Sequence, residues 1–231
     1  MTQPFQIVFA LFPGLTQLDF TAPLEVLQRL PGARVTLASS AGGRLATSSA
    51  LILTELATLS SLSECDLLCV PGGYDLSPAL RDTEYLAQLR RLAAGARYLT
   101  SVCTGSLLLL AAGLLEGKRA ACHWGWRELL AEGGAIPDPG RVVRDGNVIT
   151  GGGVTAGLDF GLAIAAEVAG ADVARAIQLS LEYDPQPPFD AGSPERAPSE
   201  LVARVRERAA QTFSELRSAL AARPRRAAPA A

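Results

Sequence analysis

The run Tyr98-Leu99-Thr100-Ser101-Val102-Cys103-Thr104-Gly105-Ser106 joins an apolar strand pattern to a helical one with no loop between them. A buried strand that turns at once into a helix is the geometry of a nucleophile elbow. It would present Cys103 at a helix N-terminus, where unpaired N–H groups and the helix dipole favour a thiolate. The small neighbours Gly105 and Ser106 leave room for a substrate to approach the backbone. No charged residue occurs from Tyr98 to Leu115, a length that could suggest a membrane span. Thr100, Ser101, Thr104, Gly105 and Ser106 break it with polar and flexible residues. A buried strand, a turn and a buried helix fit better.

Outward from this run, short apolar segments alternate with helical ones. Strands are expected over 6–12, 34–38, 51–53, 66–70, 97–102 and 120–124, and a hairpin over 142–150 whose turn is Asp145-Gly146. Helices are expected over 24–30, 83–94, 104–112, 126–132, 155–168 and 171–181. Continuous apolar strands interleaved with helices imply a mostly parallel α/β sheet covered on both faces. Such sheets bind ligands at the carboxyl ends of their strands. Residues 183–199 are rich in Pro, Asp and Gly and read as a loop. Residues 200–222 return as an amphipathic helix, and 223–231 as a disordered, arginine-bearing tail.

Composition narrows the function. The chain has 231 residues, 48% hydrophobic and 19% charged, with a net charge of -2. That profile excludes disorder and argues against a basic nucleic-acid surface. With His123 as the single histidine, a histidine-rich metal site is excluded. Cys65, Cys69, Cys103 and Cys122 form no CxxC pair, so reduced, mostly buried thiols in the cytoplasm are expected. No secretory signal is evident at the N-terminus.

A nucleophile needs a partner that moves protons. Asp19, in the apolar setting Leu18-Asp19-Phe20, is either an acid whose pKa is raised by burial or a helix N-cap. His123 is the one imidazole available, as a base or as a structural residue. Gly72 and Gly73, after the strand at 66–70, supply backbone N–H groups for an oxyanion-type hole or form a plain turn. The run Gly151-Gly152-Gly153-Val154-Thr155-Ala156 literally fits a dinucleotide fingerprint, but no convincing strand follows its helices. Close packing, or a pocket wall at Gly152, suits it better.

These segments together resemble the ThiJ/PfpI superfamily over about residues 5 to 182: Leu18 to Val26, Val70-Pro71-Gly72-Gly73, Ser101 to Ser106, Cys122-His123-Trp124 and Thr150 to Gly157. The resemblance implies a flavodoxin-like three-layer sandwich with helices on both faces, a cysteine at the elbow and a homodimer. Its peptidases carry histidine after the cysteine, and here Thr104 stands there. Asp19 fills the place of an acid that is often Glu. In both features the chain is most similar to members that hydrate isonitriles, R–N≡C, to N-substituted formamides without metal or organic cofactor. On that implication Cys103 attacks the terminal carbon, Asp19 moves the proton, Thr104 orients substrate or water, and Gly72, Gly73, His123 and Gly152 contact the small-molecule substrate. The same superfamily holds cofactor-free glyoxalases or deglycases, redox sensors, and the sensor domains of AraC-type regulators. The regulators' added helix-turn-helix region is not expected here.

Overall fold

The computed structural model describes residues 3–222; the tail expected over 223–231 lies outside them. The first strand, β1 (Phe5–Leu11), is apolar throughout its second half and has neighbours on both sides. Going one way, it pairs in parallel with β2 (Ala33–Ser39), which pairs in parallel with β4 (Ile52–Thr58). Going the other way, β1 pairs with β5 (Leu67–Val70), then β6 (Tyr98–Val102), then β10 (Val148–Gly151), all parallel. Two antiparallel strands close the edges: β3 (Gly43–Ala46) on β4 and β9 (Val142–Asp145) on β10. The eight-stranded sheet therefore reverses its winding between β1 and β5, which opens a crevice at the carboxyl ends of the central strands. β5 and β6 are buried at every position, as strands covered on both faces must be.

One helical layer is α1 (Leu18–Leu27), α6 (Ala156–Ala169) and α7 (Ala171–Ser180), and α1 packs closely along α6. The other is built around α2 (Ser77–Arg81), α3 (Thr83–Ala93) and α4 (Gly105–Ala111). The flavodoxin-like sandwich expected from the sequence is the observed fold. Continuous chain from Asp184 to Pro198 then leads to the long helix α8 (Ser199–Ala221), which buries Ala209, Leu216 and Leu220 against the body.

Several boundaries differ from the sequence pattern. The first helix starts at Leu18, not 24, and carries Pro23 inside it. A proline lacks the N–H that a helix interior needs, so its position masks the turn before it. The strand expected over 120–124 shrinks to β7 (Arg119–Ala120), paired apart from the main sheet with β8 (Ile136–Pro137). Residues 121–124 instead run as irregular chain, held where Thr150 Oγ1 accepts the Ala121 N–H at 2.7 Å and Ser106 Oγ donates to the Ala121 carbonyl at 2.6 Å. The helix expected over 126–132 contracts to α5 (Leu129–Glu132). β3 and α2 have no counterpart in the sequence pattern, being too short to show a period.

Gly161, on the face of α6 that meets α1, is explained by packing. A Cβ on Gly161 would lie 2.9 Å from Val26 Cβ, so α6 can seat α1 only with glycine there. Gly161→Leu should therefore overpack the α1–α6 contact and cost about 1–3 kcal/mol. Urea unfolding followed by circular dichroism reads this directly; an unchanged midpoint would show that α1 is not held so closely.

Candidate active site

The carboxyl ends of β1, β5 and β6, neighbours in the sheet, each deliver one part of the site. β6 ends at Val102, and Cys103 follows with a φ of 60°. A left-handed backbone is costly for any residue with a side chain, about 1–3 kcal/mol, and is found where surrounding structure imposes it. Here the Cys103 N–H is held by the carbonyls of Gly151 and Gly152, at 3.1 and 2.8 Å. The chain then enters α4 through Thr104, as the strand-turn-helix pattern predicts.

Asp19 reaches this point from α1. It is not the N-cap, a place taken by Gln17, but a fully buried residue of the first turn. Its Oδ2 accepts the Gly72 N–H at 3.1 Å. Its Oδ1 is buried with no partner in hydrogen-bond geometry, although the Cys103 thiol lies close enough for the two groups to shift each other's protonation. Burial pushes the Asp19 carboxyl from 3.8 up to about 7, against the opposing pull of the Cys103 thiol and the Gly72 N–H. The Cys103 thiol is held well above 9, first by burial and then by the Asp19 and Cys122 charges; the Thr104 N–H at the sulfur opposes this. Burial thus opposes the thiolate expected from the helix terminus. Desolvation outweighs one N–H donor from a helix of two turns. Cys65, Cys69 and Cys122 are buried and pushed up to about 11, 12 and 12, mainly by desolvation, which leaves them inert.

The Gly72-Gly73 turn after β5 corrects another expectation. Both N–H groups are already taken, Gly72 by Asp19 and Gly73 by Thr104 Oγ1 at 2.9 Å. Thr104 Oγ1 returns a hydrogen bond to the Gly73 carbonyl at 2.7 Å. The turn is therefore a clamp on the acid and the elbow, not a free oxyanion hole. The same bonds occupy the Thr104 hydroxyl, which is fully buried and cannot orient a substrate. Gly72 must be glycine, since a Cβ there would lie 2.6 Å from the Thr104 nitrogen and 2.9 Å from Asp19 Oδ2. Gly152 likewise acts through its carbonyl on the Cys103 N–H, while its neighbour Gly153 lies against the His123 ring.

Cys103, Gly73 and His123 open onto a cavity of about 620 Å³. His123 is held neutral, its pKa lowered by burial to about 4. Its Nδ1 accepts the Gly125 N–H at 3.2 Å, and its ring packs on Trp124 and Trp126 with centroids 5.8 and 4.9 Å away. It is a wall residue, and no hydrogen bond joins it to Cys103 among the described residues. Trp126 meets Tyr74 edge to face at 5.4 Å. Trp124 was read in the sequence only as part of the Cys122-His123-Trp124 segment, and Trp126 and the cavity side of α8 were not singled out; Tyr74, directly after Gly72-Gly73, was a further available signal.

With that geometry in view, similarity to known proteins is informative. A Pseudomonas putida isonitrile hydratase is 50% identical over 208 residues, covering 90% of this chain and 91% of that protein. The crystal structure of a ThiJ/PfpI family protein from Pseudomonas syringae superposes with a TM-score of 0.91 at 40% identity, covering 94% of this chain and 90% of that one. An HTH-type transcriptional regulator of Pseudomonas aeruginosa is 32% identical over 193 residues, 79% of this chain but only 55% of its own length. Residues 5–167 match the DJ-1/PfpI family, and the chain belongs to that family.

Proposed function

We propose that this protein hydrates isonitriles to N-substituted formamides, with Cys103 as nucleophile and Asp19 as proton carrier. The observation that carries the reading is the buried Cys103–Asp19 pair at the floor of an apolar cavity, in a chain half identical to an isonitrile hydratase. An isonitrile carbon must gain both a nucleophile and a proton, and a thiol beside a carboxylate supplies both. Asp19 takes the thiol proton as sulfur attacks, then delivers it to the same carbon, giving the thioimidate R–N=CH–S–Cys103. Water adds to that carbon while nitrogen gains a proton. The C–S bond then breaks, releasing R–NH–CHO and returning the proton to sulfur. The pair lends its single proton to carbon in the thioimidate and recovers one from the added water when the C–S bond breaks, so the cycle closes as it began. Thr104 and Gly72 are positioning residues here, because they fix the elbow and the acid without touching the substrate. The homodimer and the cytoplasmic setting implied by the resemblance belong to this proposal as well.

Incubation of the purified protein with cyclohexyl isonitrile should yield N-cyclohexylformamide by mass spectrometry, and Cys103→Ala should abolish it. Absence of turnover across several isonitriles would sink the assignment, and full activity in Cys103→Ala would sink the mechanism.

The proton inventory predicts the pH profile. Below about 7 Asp19 holds a proton of its own and cannot accept one from the thiol. The kcat/KM should therefore fall about tenfold per pH unit below 7 and level off above it. A flat profile from pH 5 to 8 would exclude Asp19 as the acceptor.

The same group predicts a stability trade. A carboxyl raised from 3.8 to about 7 on folding contributes stability fully present below pH 3.8 and lost as pH rises through 7. At pH 8 the cost is roughly 4 kcal/mol. Asp19→Asn keeps the acceptor for Gly72 and removes the charge. It should lower kcat about 10²–10⁴-fold yet unfold at higher denaturant than the parent at pH 8, with the gain vanishing near pH 4.

A further inference from the structure

The cavity above Cys103 is only half built by the sandwich. Its opposite wall is α8, through Val205, Arg206, Ala209 and Phe213, and α8 lies outside the residues 5–167 that match the family. The helix is fastened over the site by specific contacts. The Tyr74 hydroxyl donates to the Arg208 carbonyl at 3.1 Å. The Arg206 guanidinium lies 5.7 Å over the Trp124 ring, and Arg217 pairs with Glu132 at 2.7 Å. Leu216 and Leu220 anchor the end of the helix in the core. Tyr74, Trp124 and Trp126 line the same cavity from the sandwich side.

We propose that α8 is the specificity element of this site, and that it selects a bulky hydrocarbon group, alicyclic or aromatic, on the nitrogen of the substrate. The inference rests on the isonitrile reading for the reacting atoms, but the wall itself stands on the cavity's geometry. A volume of about 620 Å³ is in the range that encloses drug-sized ligands, so methyl isonitrile would leave most of it filled with water. A ring system would displace that water and stack against aromatic faces. The charged side chains at this wall are Glu128, Arg206 and Arg208, and Arg206 is already placed over Trp124. Apart from these three, the lining carries Thr16, Cys103 and His123, neutral at physiological pH, among glycine, aromatic and aliphatic side chains.

The test compares kcat/KM for methyl, cyclohexyl and benzyl isonitriles and for the anionic isocyanoacetate. The larger hydrocarbons should exceed methyl by about tenfold or more, the scale on which an apolar pocket discriminates size. Val205→Trp, at a half-exposed position that tolerates bulk, should reduce the benzyl-to-methyl ratio about tenfold. Phe213→Ala should move the ratio the other way for a still larger naphthylmethyl group. Both tryptophans of the chain, Trp124 and Trp126, line the cavity, so intrinsic fluorescence reports occupancy without turnover. N-Benzylformamide should quench it saturably in the parent protein and only weakly in Val205→Trp, while N-methylformamide at equal concentration should not. Turnover with a benzyl-to-methyl ratio near one, ratios unmoved by either variant, or preference for isocyanoacetate would overturn the proposal. Val205-dependent binding of N-benzylformamide without turnover of any isonitrile would remove the reaction and support the wall. Neither binding nor turnover would overturn both.

Discussion

A carboxyl group without access to solvent sits where three neighbouring strands end, and one backbone N–H, that of Gly72, holds it beside a thiol. Burying a carboxylate is expensive unless it is paired or protonated. This one is neither fully paired nor permanently neutral, so it hovers near its own midpoint at about 7. Much of the local architecture follows from keeping it there. The Gly72-Gly73 turn spends its N–H groups on Asp19 and Thr104, which ties the ends of β1 and β5 to the elbow after β6. Gly161 lets α1 lie against α6 closely enough to bring Asp19 in. The elbow in turn holds Cys103 in a left-handed backbone by the carbonyls of Gly151, the last residue of β10, and of Gly152 after it. Four separate segments converge on two titratable groups, and none of the contacts requires the substrate.

That arrangement stores free energy in the folded state. The left-handed Cys103 and the desolvated acid each destabilise the protein, and a large apolar core offsets them. Strain of this kind, held by surrounding structure, is the condition under which a site arrives at its reaction already organised. A free cysteine on a surface would ionise more readily but would lack a proton carrier kept dry beside it. Burial raises both groups together, and in the proposed reaction the proton they share would move between sulfur, carboxyl and substrate carbon.

The elbow and the strands β1, β5 and β6 were legible because they are local: apolar runs ending at Gly or at a helix start are written in consecutive residues, whereas the order of those strands in the sheet was not. Asp19 was visible as an acid in apolar company, but its helix was hidden by Pro23, and its contact with Gly72 spans two crossovers of the sheet. The fate of the Gly72 and Gly73 N–H groups was not legible at all. Whether a turn presents its donors outward or spends them inward depends on which side chains arrive from elsewhere. The same holds for Thr104, whose hydroxyl looked free for substrate and is consumed by backbone. The apolar points of α8 announced an amphipathic helix without naming what it covers. Period reports that a face is buried, never against what.

The division between sandwich and α8 is a division of labour. The Cys103–Asp19 pair, its clamp and its elbow all lie within the segment that matches the family, whose members include an isonitrile hydratase and a transcriptional regulator. A core that only positions a thiol and an acid is compatible with many electrophiles. What reaches the thiol is decided by the walls, and one of those walls arrives from a helix joined by the non-helical stretch after α7. A change on that helix alters the space above Cys103 while leaving the Asp19–Gly72 bond and the Cys103 backbone untouched. Selectivity can therefore vary without disturbing the contacts that keep Asp19 near its midpoint.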